Sequence, residues 1–133
     1  MDINITKLDK KSDERGWVAE VLRFESISNK KKEFGQIYMT TANPGFVKGN
    51  HYHIRKTEWF CVIRGKALLL LKDRKTGEEK EISMSGSELR IVEIPINVIH
   101  AIKNVGKDEM HLLAYIDESY NSSDPDTFME KIL

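Results

Sequence analysis

The chain carries seven short β-forming segments separated by turn residues, with no long amphipathic helix between them. The segments are residues 17–22, 34–39, 58–63, 66–71, 81–84, 88–94 and 109–116. Each is rich in β-branched or aromatic residues with partial alternation, and the turns between them contain Gly, Asp and Ser. Many short strands at such close spacing predict an all-β sandwich or barrel of the jelly-roll kind.

Size and composition further limit the possible fold and function classes. A chain of 133 residues with 40% apolar residues predicts one domain, residues 1–133, with a real core. The net charge of zero argues against the basic surface that nucleic-acid binding requires. The Lys30–Lys32 run is interpreted as a solvated loop. The longest apolar run, residues 67–71, is too short to cross a membrane.

The N-terminal sequence lacks the basic start and apolar stretch of a signal peptide. Cys61 is the only cysteine, so the chain cannot form an internal disulfide, which fits a reducing compartment. These features predict a soluble, cytoplasmic protein.

One helix is predicted, at the C-terminal end. Asp124 has the position of a helix cap, Pro125 that of the first helical residue, and Asp126 that of an acid in the first turn. Residues 128–133 would then form one or two helical turns.

Two segments carry candidate metal ligands. His51 and His53 stand two apart, so on a strand both imidazoles point to the same face, and Glu58 follows. Residues 95–104 read P-x-N-x-x-H-x-x-x-N and add His100. Imidazoles with a carboxylate are a sensible ligand set for a divalent transition metal.

Together the two segments resemble the signature motifs of the cupin superfamily. The first, G-x5-H-x-H-x4-E-x6-G, matches at every defined position between Gly45 and Gly65. The second departs at one position, where Asn97 replaces a glycine, and Asn tolerates the left-handed backbone expected there. The resemblance implies a cupin-type jelly-roll β-barrel.

The resemblance also places His51, His53, Glu58 and His100 in the barrel mouth as metal ligands. Zinc, nickel, iron, manganese and copper all suit this set, and the ligand types do not choose among them. The alternative is that these are buried polar residues held by hydrogen bonds, since some cupins bind no metal. His111 belongs to neither motif and is interpreted as a core residue.

A second resemblance concerns residues 13–20, which read D-E-R-G-W-V-A-E. This pattern is similar to the opening of dTDP-4-dehydrorhamnose 3,5-epimerases, cupins that act on nucleotide-linked 4-keto-6-deoxy sugars. It implies that Arg15 pairs with the diphosphate, that Trp17 stacks near the base and that Glu20 lies in the same pocket. The alternatives are an ordinary turn at Arg15 and core packing of Trp17.

Residues 48–53, 56–58 and 124–128 resemble the C-terminal cupin domain of bifunctional capsular-polysaccharide enzymes. In those, the cupin domain carries zinc and epimerises a UDP-linked 4-keto-6-deoxy amino sugar, and a separate domain reduces the ketone. The resemblance implies an epimerase or isomerase that moves a proton beside the ketone of a dTDP- or UDP-linked sugar in polysaccharide biosynthesis.

The acid and base of that reaction stay open. His51 is the natural base if it holds no metal, because the pKa of a free imidazole lies near neutrality. If His51 is a ligand, the base is Lys56, Tyr115, His111 or a metal-bound hydroxide. Tyr115 and Tyr120 are the candidates for the acid.

Two other functions are compatible with the same residues. With iron or manganese bound, the three histidines and Glu58 could activate dioxygen in a cupin oxygenase. A sugar-binding cupin without catalysis is the second alternative. By resemblance to cupins of this size, we expect a homodimer.

Overall fold

The computed structural model describes residues 1–27, 31 and 33–133. Within these ranges it contains twelve β-strands and a single 3₁₀ turn, Phe24–Ser26. The strands are β1 Ile5–Lys7, β2 Lys11–Asp13, β3 Gly16–Val18, β4 Gln36–Ala42, β5 Val47–Tyr52, β6 Glu58–Arg64, β7 Lys66–Asp73, β8 Glu79–Ser85, β9 Arg90–Ile94, β10 Val98–Asn104, β11 Met110–Ile116 and β12 Phe128–Met129. Lys30 and Lys32, two of the three lysines predicted as a loop, lie outside the described residues.

Two five-stranded antiparallel sheets form the body of the protein. The first has the strand order β1-β9-β6-β11-β4 and the second the order β12-β5-β10-β7-β8. Strands β2 and β3 form a separate hairpin. Most neighbouring strands in both sheets are not consecutive in the sequence, which is typical of a jelly roll. The all-strand architecture confirms the all-β prediction.

The hydrophobic core lies between the two sheets and follows from the period-two alternation of the strands. On β11, Met110, Leu112 and Ala114 are buried in the core, while the residues between them are half-buried on the outer face. Leu69 and Leu71 of β7 are fully buried opposite them. Burying each such leucine side chain contributes about 1.5–3 kcal/mol. No described helix has the length and apolar character that crossing a bilayer requires.

Strand β4 reverses the usual alternation. Its apolar residues Ile37 and Met39 are 59% and 57% exposed on the outer face. Tyr38 and Thr40, which are polar, point inward and line a cavity between the sheets. This inversion provides polar groups where a sandwich normally has only apolar core.

Strand β5 contains a β-bulge beside the candidate ligands. His100 pairs with His51 but Ala101 pairs with Gly49, so Asn50 is the extra residue. Gly49 has φ +95° and Asn50 has φ +56°. Because of the bulge, Lys48 and His51 line the same cavity although they are three residues apart. The Asn50 side chain accepts hydrogen bonds from the backbone amides of residues 132 and 133.

The predicted C-terminal helix is wrong. Phe128 and Met129 instead pair with Tyr52 and His51 as strand β12. Asp126 has a left-handed backbone, φ +49°, which a helix does not accommodate. The first predicted strand, residues 17–22, is also shorter than expected and ends at Val18.

Candidate active site

The fold brings His51, His53, Glu58 and His100 together at one point. Their ligand atoms all lie within 4.8 Å of one another. His51 lies at the end of β5, His53 directly after it, Glu58 starts β6, and His100 lies on β10 opposite His51. His53, Glu58 and His100 are buried, whereas His51 is half-buried and faces the cavity.

Backbone carbonyls set the tautomers of two of the imidazoles. Nδ1 of His53 lies 2.6 Å from the carbonyl oxygen of Asp126, and Nδ1 of His100 lies 3.1 Å from that of Val98. A carbonyl only accepts hydrogen bonds, so both Nδ1 atoms carry the proton. The lone pair of a neutral ring is then on Nε2, which faces the cluster. A backbone carbonyl behind the ring is the usual partner of a metal-binding histidine.

The Nε2 atoms face an electron-rich environment. Nε2 of His53 lies 2.5 Å from Oε1 of Glu58. Nε2 of His100 is buried 3.5 Å from the same oxygen and has no hydrogen-bond partner among the residues that the structure describes. Atoms bearing lone pairs at this spacing repel one another unless a cation, either a proton or a metal ion, lies between them.

The cluster shifts the pKa values of its members in opposite directions. Burial, reinforced by His100 and His53, lowers the pKa of His51 to about 4, so this ring is neutral at neutral pH. Burial alone would raise the pKa of Glu58, but His100, His53 and Tyr38 together hold it well below its usual value. We attribute this lowering chiefly to His53 and Tyr38, since His100 makes no hydrogen bond by geometry.

The pKa of His53 shifts in the opposite direction. Burial is the largest single effect and works to lower the pKa of His53, but the hydrogen bond and charge of Glu58, together with Asp126, outweigh it and raise the pKa. Below that raised pKa, the cation between His53 and Glu58 is a proton, and a metal ion must displace it.

The donor set fits a divalent transition metal. It offers neutral imidazole nitrogens and one ionised carboxylate, the ligands that zinc and its neighbours prefer. The unpartnered Nε2 of His100 is the strongest sign, because a buried imidazole nitrogen without a partner costs free energy that an ion would recover.

A cavity of about 460 Å³ opens beside the cluster. His51 and His100 form part of its wall, with apolar side chains from both sheets opposite them. Its remaining polar side chains are Tyr38, Thr40 and Lys48, and Nζ of Lys48 donates to Oγ1 of Thr40 at 2.7 Å. The volume is that of a small-molecule site with a few polar groups on an apolar wall.

Two residues of the site were not predicted from the sequence. Tyr38 donates from its hydroxyl to Oε2 of Glu58 at 2.5 Å. Strand β4 gives no signal of this role in the sequence, because its polar Tyr38 points inward while the apolar Ile37 is exposed. Asp126 was interpreted as part of a helix start, whereas its carboxylate accepts from the amides of Ile54, Arg55 and Lys56.

Three of the predicted acid–base residues, Lys56, Tyr115 and Tyr120, lie outside the cavity, whereas His51 is in its wall. The Nζ atom of Lys56 donates to the carbonyl of Pro125 at 3.1 Å and lies 5.9 Å from the ring of Tyr120, which is 65% exposed. Tyr115 is on the outer face of β11, packed on Trp59, with its hydroxyl accepting from the Gly35 amide. None of the three lines the cavity. The alternation of β11 is the reason that Tyr115 faces away.

His111 shares that outer face, so its interpretation as a core residue is wrong. It is half-buried, with Nε2 2.9 Å from Glu109. For the same reason it is not available to the cluster as a base.

The predicted substrate-binding residues are on the β2–β3 hairpin and the segment after it. Arg15 is paired with Asp13 on the surface, and Trp17 is 52% exposed beneath the ammonium of Lys10. Glu20 is paired with Arg23. None of these three lines the cavity, so within one chain the structure does not bring them to the histidines.

Sequence comparison identifies the family. The model of the family described as polysaccharide biosynthesis C-terminal domain matches residues 11–128. The chain belongs to this family. The match includes all four residues of the cluster.

Two curated proteins are similar to this member of the family. A UDP-2-acetamido-2,6-beta-L-arabino-hexul-4-ose reductase of Pseudomonas aeruginosa is 38% identical over 117 residues, covering 88% of this chain and 30% of that protein. The chain therefore spans less than a third of the reductase. The spore coat polysaccharide biosynthesis protein SpsL of Bacillus subtilis is 30% identical over 129 residues, covering 93% of this chain and 84% of SpsL.

Solved structures confirm the fold. The capsular polysaccharide assembling protein CapF of Staphylococcus aureus superposes with a TM-score of 0.73 at 30% identity, over 94% of this chain and 33% of CapF. A dTDP-6-deoxy-D-glucose-3,5-epimerase of Legionella pneumophila, in complex with dTDP-4-keto-L-rhamnose, gives 0.81 at 18% identity, over 96% and 71%. The cupin-type β-barrel and the resemblance to sugar-nucleotide enzymes are confirmed.

Proposed function

We propose that this protein is a nucleotide-sugar epimerase or isomerase of polysaccharide biosynthesis. It would act beside the ketone of a dTDP- or UDP-linked 4-keto-6-deoxy sugar. The observation that carries the proposal is the cavity of about 460 Å³ with His51 and His100 in its wall. The relatives support it, since they include a reductase of a UDP-linked ketosugar and an epimerase with a bound dTDP-ketosugar.

The substrate is anionic, and the cavity offers a matching cation. Lys48 contributes the single cationic side chain of the described cavity wall, at its exposed end. We assign Lys48 to the diphosphate, which places the sugar deeper, toward His51. The buried apolar side chains Phe60, Ile102 and Leu112 exclude water from the sugar ring.

His51, His53, Glu58 and His100 would hold one divalent ion, with zinc as the first candidate. The bound ion would supply Lewis acidity toward an oxygen of the substrate. The chain's own contribution is to fix the ligands: carbonyls hold the rings of His53 and His100, and Tyr38 holds Glu58. The lowered pKa of His51 keeps its ring neutral, as a ligand must be.

We also propose that the protein is a cytoplasmic homodimer. Ile37 and Met39 form an apolar strip on the outer face of β4, at the edge of the first sheet. A two-fold related copy would cover the strip. Cys61 is free and buried, as suits a reducing cytoplasm.

The experiment is hydrogen exchange into the sugar. Removal of a proton beside the ketone moves the electron pair of the C–H bond onto the ketone oxygen, and reprotonation in heavy water introduces deuterium. We expect deuterium in the ring of a dTDP- or UDP-4-keto-6-deoxy sugar with zinc-loaded protein. His51→Gln should lose exchange, while His111→Gln, a histidine on the outer face, should retain it. A sugar that binds but never exchanges would contradict the proposal and support a binding module.

A further inference from the structure

Tyr38 connects the cavity wall to the candidate metal ligands. It lies on β4 with its side chain inward, lines the cavity and donates from its hydroxyl to Oε2 of Glu58 at 2.5 Å. Of the four tyrosines in the chain, it alone lines this cavity. Tyr52 stacks on Phe128, and the other two lie outside the cavity as described above.

The two oxygens of Glu58 have different environments. Oε1 faces the imidazoles, 2.5 Å from Nε2 of His53 and 3.5 Å from that of His100. Oε2 is turned away from them and receives the Tyr38 hydroxyl. The carboxylate is buried, with Glu58 2% exposed, so water does not compete for Oε2. The phenol therefore decides which oxygen is available to a ligand of the cluster.

We propose that Tyr38 is a positioning residue that makes Glu58 a one-oxygen ligand of the divalent ion. With Oε2 bonded to the phenol, only Oε1 is free to bind, and the carboxylate cannot rotate to offer both oxygens. With Glu58 limited to one oxygen, a bound ion would keep room for an oxygen of the substrate. This inference rests on the proposed metal site and specifies how the chain tunes it.

The same geometry makes Tyr38 a poor proton donor to substrate. Its proton is already directed at Glu58, and its loss would leave a phenolate 2.5 Å from a carboxylate in a buried site. Repulsion between two negative charges at that distance disfavours the phenolate strongly. The structure thus favours a role for Tyr38 through Glu58 over direct acid catalysis.

The test is Tyr38→Phe, which removes only the hydroxyl. Cobalt(II) serves as the probe, because its visible absorption is strong in four-coordinate sites and weak in sites of higher coordination. We expect Tyr38→Phe to bind cobalt about 10–100-fold more weakly than the wild type. We also expect its visible absorption to fall, as Glu58 turns to bind through both oxygens.

The matched control is Tyr115→Phe. It removes the same hydroxyl from a tyrosine whose hydrogen bond, to the Gly35 amide, is on the outer face. It should leave cobalt affinity and spectrum unchanged even if it lowers stability. A purely structural role for Tyr38 would lower its unfolding midpoint without changing the spectrum, and that result overturns the inference.

Deuterium exchange separates this inference from the proposed function. If Tyr38→Phe binds cobalt with wild-type affinity and spectrum while the wild type exchanges deuterium into the sugar, the inference fails and the function stands. If the wild type takes up no cobalt, the inference fails, and exchange by the same protein decides the function on its own.

Discussion

The carbonyl oxygen of Asp126 accepts from Nδ1 of His53, 2.6 Å away, across 73 residues of sequence. The carboxylate of the same residue accepts from the amides of Ile54, Arg55 and Lys56 at 3.0–3.1 Å. One buried residue near the C-terminal end therefore fixes both the ring of His53 and the loop that leads to Glu58. The C-terminal segment is part of the candidate site rather than an appendage to it.

The first prediction concerns this connection. Asp126→Ala leaves three loop amides without their acceptor and should lower the free energy of unfolding by about 3–5 kcal/mol. Asp126→Asn keeps one acceptor oxygen and tolerates φ +49°, so its loss should be smaller. Urea denaturation measures both. Equal stability of Asp126→Ala and the wild type would show that the loop does not depend on this carboxylate.

The second prediction concerns the bulge of β5. A Cβ atom on Gly49 would lie 2.8 Å from the carbonyl oxygen of His100, at φ +95°. Gly49→Ala should destabilise the protein by roughly 2–4 kcal/mol, through strain and displacement of β5 from β10. The control is Gly77→Ala, at φ +75° with nothing within 4 Å, which should cost only about 1 kcal/mol. Similar losses for both variants would contradict the close approach at Gly49.

The third prediction is the pH dependence of metal affinity. The folded-state pKa of His53 lies above its ordinary value of 6.5, so below that raised pKa a proton occupies its Nε2. A metal ion must displace this proton, and affinity should rise about tenfold per pH unit until the raised pKa is passed. His51, with a pKa of about 4, is already neutral in this range and adds no proton. Titration calorimetry in buffers of different ionisation enthalpy should show release of one proton. Affinity that does not change between pH 5.5 and about 6.5 would contradict this description.

These sites show what the sequence could and could not predict. Strand periodicity is a local property, and it predicts that His51 and His53 share one face, with Glu58 following them in the sequence. The structure brings His100 to these residues. The left-handed backbone expected at Asn97 is present, with φ +62°. The roles of Tyr38 and Asp126 depend on contacts between residues far apart in sequence, which no local pattern encodes. The predicted C-terminal helix failed for the same reason, since pairing of β12 with β5 outweighs the local helix signal.

The fourth prediction concerns the outer face of the first sheet. Ile37→Lys places a charge in the proposed dimer interface and should convert the protein from a dimer to a monomer of 15.4 kDa. Val105→Lys changes an equally exposed apolar residue, 53% against 59%, in the turn between β10 and β11, and should leave the dimer intact. Light scattering after size exclusion measures the masses. A monomeric wild type would contradict the dimer proposal.

The proposed function depends on one metal site formed by His51, His53, Glu58 and His100. The most direct measurement is the metal bound per chain after dialysis against zinc, for the wild type, His100→Gln and His111→Gln. We predict one ion per chain in the wild type and in His111→Gln, since His111 lies on the outer face with Glu109. His100→Gln should lose that ion. Retention of the ion by His100→Gln, or its absence from the wild type, would contradict the central claim.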